Sequence, residues 1–440
     1  MSSAFFAQFR SDTAKMLRQF GIKDGIHAFF QQESTSFNSA SLFPAPRINH
    51  FDRGVIMGIN RLPNTAFQLS LWDYYGSAGI TSYSMVVFGK IGQRKSTFVK
   101  TYALRHSFLG VPLYVLDPKG EYEAFARALN LAYIDPRNEA INPFAKIPGT
   151  DANETLNQRV RVLSALLNIY SDQPLPSFTQ HIIRGMCATL SSTDTPILDD
   201  FIHLASSGQV QLSADIDPGP LYQAMPNIQH LLVLLREELG DVLNRHYSLR
   251  ALDELSHAGI VVNLSPWLNN KQQLAALLTA TTEWLTPRLH TVGERKLLIL
   301  DEAWSALEYE PFVGWLQSQL KLARQWTLST ILVAHAPGDL VSQAQSASRA
   351  EKIAASLPGN FVAKVVFHLD NHAVSPLLDW GLPSFATDWI SNPQTLTPGS
   401  AFVQLGPLWG ILDTVVTKYE LAIADTDASL TASRNQAVHT

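Results

Sequence analysis

The sequence predicts an α/β protein, a mostly parallel sheet flanked by helices and interrupted by an all-α insertion. Three observations predict it. Continuous apolar runs of strand length (SMVVF, VPLYVLD, GIVVNLS, KLLILD, TLSTILVA) alternate with stretches of helical periodicity, and strands buried on both faces with helices between them build parallel sheets. Several of these runs end directly on glycines or charged residues (GKIGQRKST, DPKGEY, DEAW), so polar chemistry gathers at their carboxyl ends. Between about residues 150 and 250 the strand-like runs vanish and only amphipathic helices remain.

The elements follow in chain order. Residues 1–46 read as an N-terminal helical extension and a linker. Phe5, Phe6, Phe9, Met16, Leu17 and Phe20 recur at helical spacing, with Arg10, Lys15 and Arg18 largely off that stripe. Such a helix packs on its own core or a neighbouring subunit; the alternative is peripheral association with an anionic membrane surface. The Ser- and Pro-rich stretch 34–46 is the linker. Residues 47–150 form the first part of the sheet domain: β-like pieces RGVIMGIN and AFQLSLWDYY, the buried strand SMVVF, a helix from about Ser96 to Phe108, and the buried strand VPLYVLD.

Residues 151–250 are the helical insertion. Leu156, Val160, Leu163, Leu167 and Tyr170 mark one helix, and Ile182, Ile183, Met186, Cys187 and Leu190 a second; Pro196–Ser206 and Ile228–Leu239 suggest two more. Residues 251–422 resume the sheet with GIVVNLS, a helix around 271–290, KLLILDEAW, a helix around 311–325, TLSTILVAH, and late strands at FVAKVVFHL, SAFVQL and WGILDTVV. Residues 423–440 are a small, polar tail, expected to fray.

Composition bounds the function. The 440 residues suit two or three structural units, and 46% hydrophobic residues exclude a mainly disordered chain. Thirty-three basic against 38 acidic residues give a formal charge of −5, which excludes a global basic field and leaves nucleic acid only a local channel. The single cysteine, Cys187, excludes intrachain disulfides, zinc ribbons and cysteine-ligated clusters. The amino terminus has no secretory apolar core, and no run of about 18 apolar residues exists. A soluble, cytoplasmic protein is the expectation.

Gly89-Lys-Ile-Gly-Gln-Arg-Lys95-Ser96 nearly fits the phosphate-binding G-x-x-x-x-G-K-[ST] pattern, with a strand before it and a helix after it. Backbone N–H groups of Gly89, Gly92, Gln93 and Arg94 and the first helical turn at Lys95, Ser96 and Thr97 would cradle phosphate oxygens. Lys95 would neutralise the β- and γ-phosphates of ATP, and the Ser96 hydroxyl would ligate Mg²⁺. Arg94 departs from the pattern, which places glycine before the lysine because the backbone there can be costly for other residues. It either strains the loop and weakens binding, points outward, or adds a contact to phosphate.

KLLILDEAW runs four apolar residues into Asp301 and Glu302. Two carboxylates at the end of a buried strand are expensive unless they have partners. Beside a phosphate loop the first holds the metal and the second activates the attacking water. TILVAH puts His335 at the end of a neighbouring strand as a polar sensor, and VLDPKGEY puts Asp117, Lys119 and Glu121 at the same edge, where ligands sit in open α/β sheets. His368 and His372 follow a strand without an evident third ligand, so a solvated strand end is expected there rather than a metal site. Trp304, Trp315 and Trp326 are expected to pack in the core or between subunits.

The order GKIGQRKST, VLDPKGEY, INPF (141–144), helical insertion, LLILDEAW, Lys321-Leu-Ala-Arg324 and ILVAHAPGDL resembles the motor domain of type IV secretion and conjugation ATPases of the VirB/TraC type, members of the HerA–FtsK superfamily. The likeness covers about residues 47–420, and DPKGEY with INPF is its most specific part. It implies a RecA-like P-loop NTPase fold, Mg²⁺-dependent ATP hydrolysis, a hexameric ring, and partners among the secretion or conjugation machinery, with DNA as a further candidate. Residue by residue it implies phosphate and Mg²⁺ binding at Lys95 and Ser96, the metal-side acid at Asp301, the catalytic acid at Glu302, and a sensor at His335, where relatives often carry glutamine. Arg324, and more weakly Arg349, would act on a neighbouring subunit's nucleotide; a packing role for Arg324 is the alternative. Such ATPases commonly carry a large N-terminal domain where some forty residues stand here, which suggests a short variant, a fragment, or a motor that docks by another route. Two further readings stand beside the secretion motor: a DNA-pumping translocase of the same superfamily, and a nucleotide-binding scaffold without turnover because of Arg94.

Overall fold

The computed structural model describes residues 51–424 except 78, 140, 147–149, 172, 212–217, 247–257 and 342–355. The aromatic stripe of residues 1–33, Arg349 and the tail beyond Ala424 lie outside the described residues. Among the described residues eleven strands form one sheet: β1 (Val55–Asn60), β2 (Thr65–Leu69), β3 (Ser84–Phe88), β4 (Leu113–Asp117), β5 (Ala132–Ile134), β6 (Gly259–Asn263), β7 (Lys296–Asp301), β8 (Leu328–Ala334), β9 (Ala363–Val366), β10 (Ser400–Leu405) and β11 (Leu408–Thr414). Their order is β2-β1-β11-β10-β9-β3-β8-β7-β4-β6-β5. The run from β9 to β5 is parallel throughout, and the four strands on the other side of β9 pair antiparallel. This is the RecA-like P-loop arrangement, a mostly parallel sheet flanked by helices, with an antiparallel extension on one side.

The period-two alternation of each strand assigns its residues to two cores. Val86 and Phe88, Tyr114 and Leu116, and Leu298 and Leu300 face one layer. Met85 and Val87, Leu113 and Val115, and Leu297 and Ile299 face the other. The second layer is closed by α1 (Lys95–Ser107) and α2 (Glu123–Leu129). The first is closed by the insertion and by α7 and α8: α3 (Ala152–Tyr170), α4 (Ser177–Thr189), α5 (Leu198–Ser207), α6 (Pro218–Leu239), α7 (Lys271–Leu289) and α8 (Glu310–Leu322). Because both faces are covered, the parallel strands read as unbroken apolar runs.

Where the sequence reading and the structure differ, the causes are local. AFQLSLWDYY is not one β piece. Strand β2 stops at Leu69, and Ser70 starts a one-turn helix, Leu71–Tyr74, whose Trp72 Nε1 donates to the Thr327 carbonyl at 3.0 Å. Helix α6 begins ten residues before Ile228, at Pro218, because its first turns carry prolines rather than an apolar stripe. FVAKVVFHL shortens to four paired residues in β9. The three-residue β5 is too short to show periodicity, so the sequence reading does not contain it. Helix α8 ends at Leu322, so Arg324 falls in the turn that follows it.

The INPF segment fastens the insertion to the sheet. Asn142 Oδ1 accepts from Phe144 N at 2.9 Å, and its Nδ2 donates to the Pro196 carbonyl at 3.0 Å. From α3, Gln158 donates to the Pro143 carbonyl at 3.1 Å and the buried Arg159 to that of Phe144 at 2.8 Å. These are packing contacts, which gives this stretch a structural role.

Candidate active site

The loop between β3 and α1 crosses the carboxyl edge of the parallel strands. Its backbone is laced to its neighbours: Gly89 N donates to the His335 carbonyl and Lys90 N to that of His368, each at 3.1 Å. A Cβ on Gly89 would stand 2.6 Å from the Phe367 Cβ and 3.3 Å from Lys95 Cγ, so only glycine fits beneath the loop. Gly92 turns at φ +82°. Arg94, the N-cap of α1, has φ 67° and ψ 30°. That is the left-handed region, which costs a non-glycine residue about 1 kcal/mol. Its side chain is exposed and runs outward along Gly399, the residue before β10, while Gly399 N donates to the Gln93 carbonyl at 3.3 Å. The departure from glycine thus leaves Arg94 with a strained backbone and its side chain beside Gly399.

The first turn of α1 starts at Lys95. This ammonium is buried and donates to the loop's own carbonyls, Gly89 O and Lys90 O, the latter at 3.3 Å. It also lies 3.2 Å from His335 Nδ1. A lysine ammonium is only a donor, so Nδ1 accepts and the remaining ring proton sits on Nε2. Nε2 lies 3.2 Å from Glu302 Oε2, and Lys119 Nζ lies 2.8 Å from Glu302 Oε1. Lys95, His335, Glu302 and Lys119 thus form one continuous polar chain at the strand ends. Glu302 is buried and takes a left-handed backbone at φ 57°, which turns its carboxylate out of the β7 line toward the loop.

Asp301 is set deeper. It is buried on β7, and its Oδ2 accepts the Tyr122 hydroxyl at 3.0 Å. Burial, reinforced by the charges of Glu302, Asp117 and Glu121, pushes its carboxyl up to about 6, and Lys119 draws it back. Asp117 instead shapes the DPKGEY turn, its carboxylate accepting Gly120 N, Glu121 N and Tyr122 N at 2.8, 3.1 and 2.9 Å. That turn delivers Lys119 to Glu302.

A cleft of about 360 Å³ is lined by residues 90–97 of the loop and helix start, by Lys119, Glu121, Glu302 and His335, and by Pro398 and Leu421. Arg324 is not part of it. It is exposed in the turn before β8, and the length of that strand puts it about 20 Å from His335 at the other end. His368 is held by the Ile390 carbonyl, 3.0 Å from its Nδ1, and among the described residues no group of three His, Cys, Asp or Glu side chains is set to hold a metal. The sequence reading places Lys119 at this edge without a role, and gives Tyr122, Pro398 and Leu421 none. Trp315 is buried, as packing requires, and Trp326 stacks on His290 at 4.5 Å.

Solved structures share this fold. VirB4 of Thermoanaerobacter pseudethanolicus superposes with a TM-score of 0.66 at 15% identity, over 85% of this chain and 99% of that one. The bacterial conjugative coupling protein TrwB, in its unbound form, follows at 0.60 and 14%, over 84% and 91%. The fold is the one shared by VirB4 and TrwB. That fold is in line with the resemblance read from the motifs. TrwB has also been solved with the non-hydrolysable ATP analogue ADPNP, at a TM-score of 0.57, 15% identity and coverage of 76% and 86%, and with ADP and Mg²⁺. No protein-family model and no curated protein sequence matches the chain. Among the described residues no helix is long and apolar enough to cross a membrane.

Proposed function

We propose that this chain is an ATP-hydrolysing motor that energises transfer of DNA or protein through a type IV secretion or conjugation system. The observation that carries the reading is the chain Lys95–His335–Glu302–Lys119 beside a glycine-based loop at a helix N-terminus. The residues fit a nucleotide triphosphate with Mg²⁺. The cradle closes only over glycine at position 89, the first turn of α1 presents its N–H groups to the cleft, and a lysine heads that turn. Ser96 and Asp301 would hold the Mg²⁺, which supplies charge neutralisation on the β- and γ-phosphates.

In this reading Gly89, Gly92, Gln93, Arg94 and Thr97 bind through the backbone of the loop and helix start. Lys95 exchanges its carbonyl partners for phosphate oxygens. Glu302 orients the attacking water and takes its proton on a carboxylate oxygen. His335, which touches both Lys95 and Glu302, reports the state of one to the other. Arg324 completes a neighbouring subunit's site in a hexameric ring. The motor works in the cytoplasm beside the machinery at the membrane. The similarity to VirB4 over 99% of that chain supports the secretion role.

The test is steady-state ATP hydrolysis with Mg²⁺, with and without duplex DNA, for wild type and Glu302→Gln. Wild type is expected to turn over, and Glu302→Gln to lose about a hundredfold or more while still binding nucleotide. Equal turnover in both proteins would remove Glu302 from the reaction. No turnover in wild type would favour the scaffold, and strong DNA stimulation would favour the DNA-pumping translocase.

A further inference from the structure

Arg94 is strained, and its side chain lies beside Gly399. A strained residue at a functional site points to a role that holds it there. Its Cδ and Nη1 lie 3.7 and 3.9 Å from the point where a Cβ on Gly399 would stand. Gly399 is itself at φ +95° and is tied to the loop through Gln93. The residue before it, Pro398, lines the same cleft, as does Leu421 of α10 (Lys418–Ala424; α9 is the short helix Ser384–Ser391), which is 36% exposed. An arginine, a proline and a leucine are thus among the residues that line this cleft. Lys95, Ser96, Lys119, Glu302 and His335 line it as well. Helix α10 is fixed in place: Glu420 is fully buried and takes Arg105 of α1 on both oxygens at 2.7 and 2.8 Å.

We propose that Arg94, Pro398 and Leu421 form the seat of the nucleotide base, with the Arg94 guanidinium stacked on the purine face. This rests on the nucleotide reading above and deepens it. A planar guanidinium over a π-face is attractive whichever purine presents it. Pro398 and Leu421 carry no side-chain donor or acceptor to read a base edge, and a site without such groups does not reject the purine that carries a different one. The seat therefore takes ATP and GTP alike. The left-handed backbone at position 94 aims the side chain at this seat and away from the phosphates.

Calorimetric titration of the full chain with ATP, GTP and inorganic tripolyphosphate, each with Mg²⁺, tests this. The variants are Arg94→Gly and Arg94→Asn, both at ease in the left-handed region. Wild type is expected to bind ATP and GTP within about threefold of each other. Both variants are expected to bind either nucleotide about five- to tenfold more weakly and tripolyphosphate unchanged. Parallel weakening for tripolyphosphate would make Arg94 a phosphate ligand and overturn the seat. Tighter or unchanged nucleotide binding by the variants would also overturn it, leaving Arg94 an obstruction or a bystander. A wild type that binds neither ATP nor tripolyphosphate removes the nucleotide reading itself, and the seat with it.

Discussion

Single residues carry the site, and their roles depend on partners far away in sequence. Glu302 is legible because two acids end an apolar run, yet its ion pair with Lys119 spans 183 positions and nothing in either motif announces it. Arg94 is legible as a departure, but the placement of its side chain beside Gly399, on a distant loop, is not. A buried histidine makes a test at this scale. His106 in α1 is fully buried between the rings of Tyr102 and Trp72, with centroids at 4.1 and 5.2 Å. Its Nδ1 lies 2.9 Å from the Tyr102 carbonyl, while Nε2 is buried without a partner among the described residues. The ring is therefore neutral, and burial lowers its pKa from 6.5 to about 4. The unfolded chain takes up this proton below pH 6.5 and the folded chain only near 4. The stability due to neutral His106 is full above pH 6.5 and is lost as the pH falls toward 4, by about 3 kcal/mol. His106→Leu is expected to flatten the fall in melting temperature between pH 7.5 and pH 5. An identical fall in wild type and variant would show that other groups set the acid limit.

At the scale of elements, the parallel strands and the helices with clean stripes are legible because burial on one or two faces imposes periodicity. What escapes is chain without periodicity: the short β5, the proline-rich start of α6, and the turn at Ser70 inside an apolar stretch. Pairing direction escapes as well, since an antiparallel β10–β11 hairpin and a parallel strand can carry the same apolar run. The joint between insertion and sheet is the element whose strength can be measured. Arg159 is 1% exposed; it donates to the carbonyls of Phe144, Leu190, Thr193 and Asp194 at 2.8, 2.9, 2.7 and 3.2 Å. Its planar fork ties the INPF segment to the end of α4 and the turn after it, a geometry lysine cannot copy. Arg159→Met leaves those carbonyls short of a buried donor and is expected to cost about 3 kcal/mol or more. Limited proteolysis should then cut first within 145–245. Arg159→Lys should recover little. A melting temperature within a degree or two of wild type for Arg159→Met would show that water replaces the guanidinium.

The whole molecule separates its chemistry by edge. The carboxyl edge of the parallel strands holds the cleft, Glu302 and His335. The amino edge holds Arg324, at the far end of the β8 strand that terminates in His335. No rearrangement inside one subunit brings Arg324 across a buried, fully paired sheet, so a catalytic Arg324 must belong to a neighbour's site. In a head-to-tail ring each contact joins two different faces, so the cleft of one subunit can meet the amino edge of the next. Mixing two inactive variants decides this. Arg324→Ala keeps its own cleft and lacks the arginine; Glu302→Gln keeps the arginine and lacks the proposed base. Each alone is expected to be nearly inactive as an oligomer. In an equal, random mixture about a quarter of the interfaces pair an intact cleft with an intact arginine, so ATP hydrolysis should recover to about that share of wild type. If Arg324 only packs on its own subunit, the Arg324→Ala protein retains turnover by itself and mixing adds nothing.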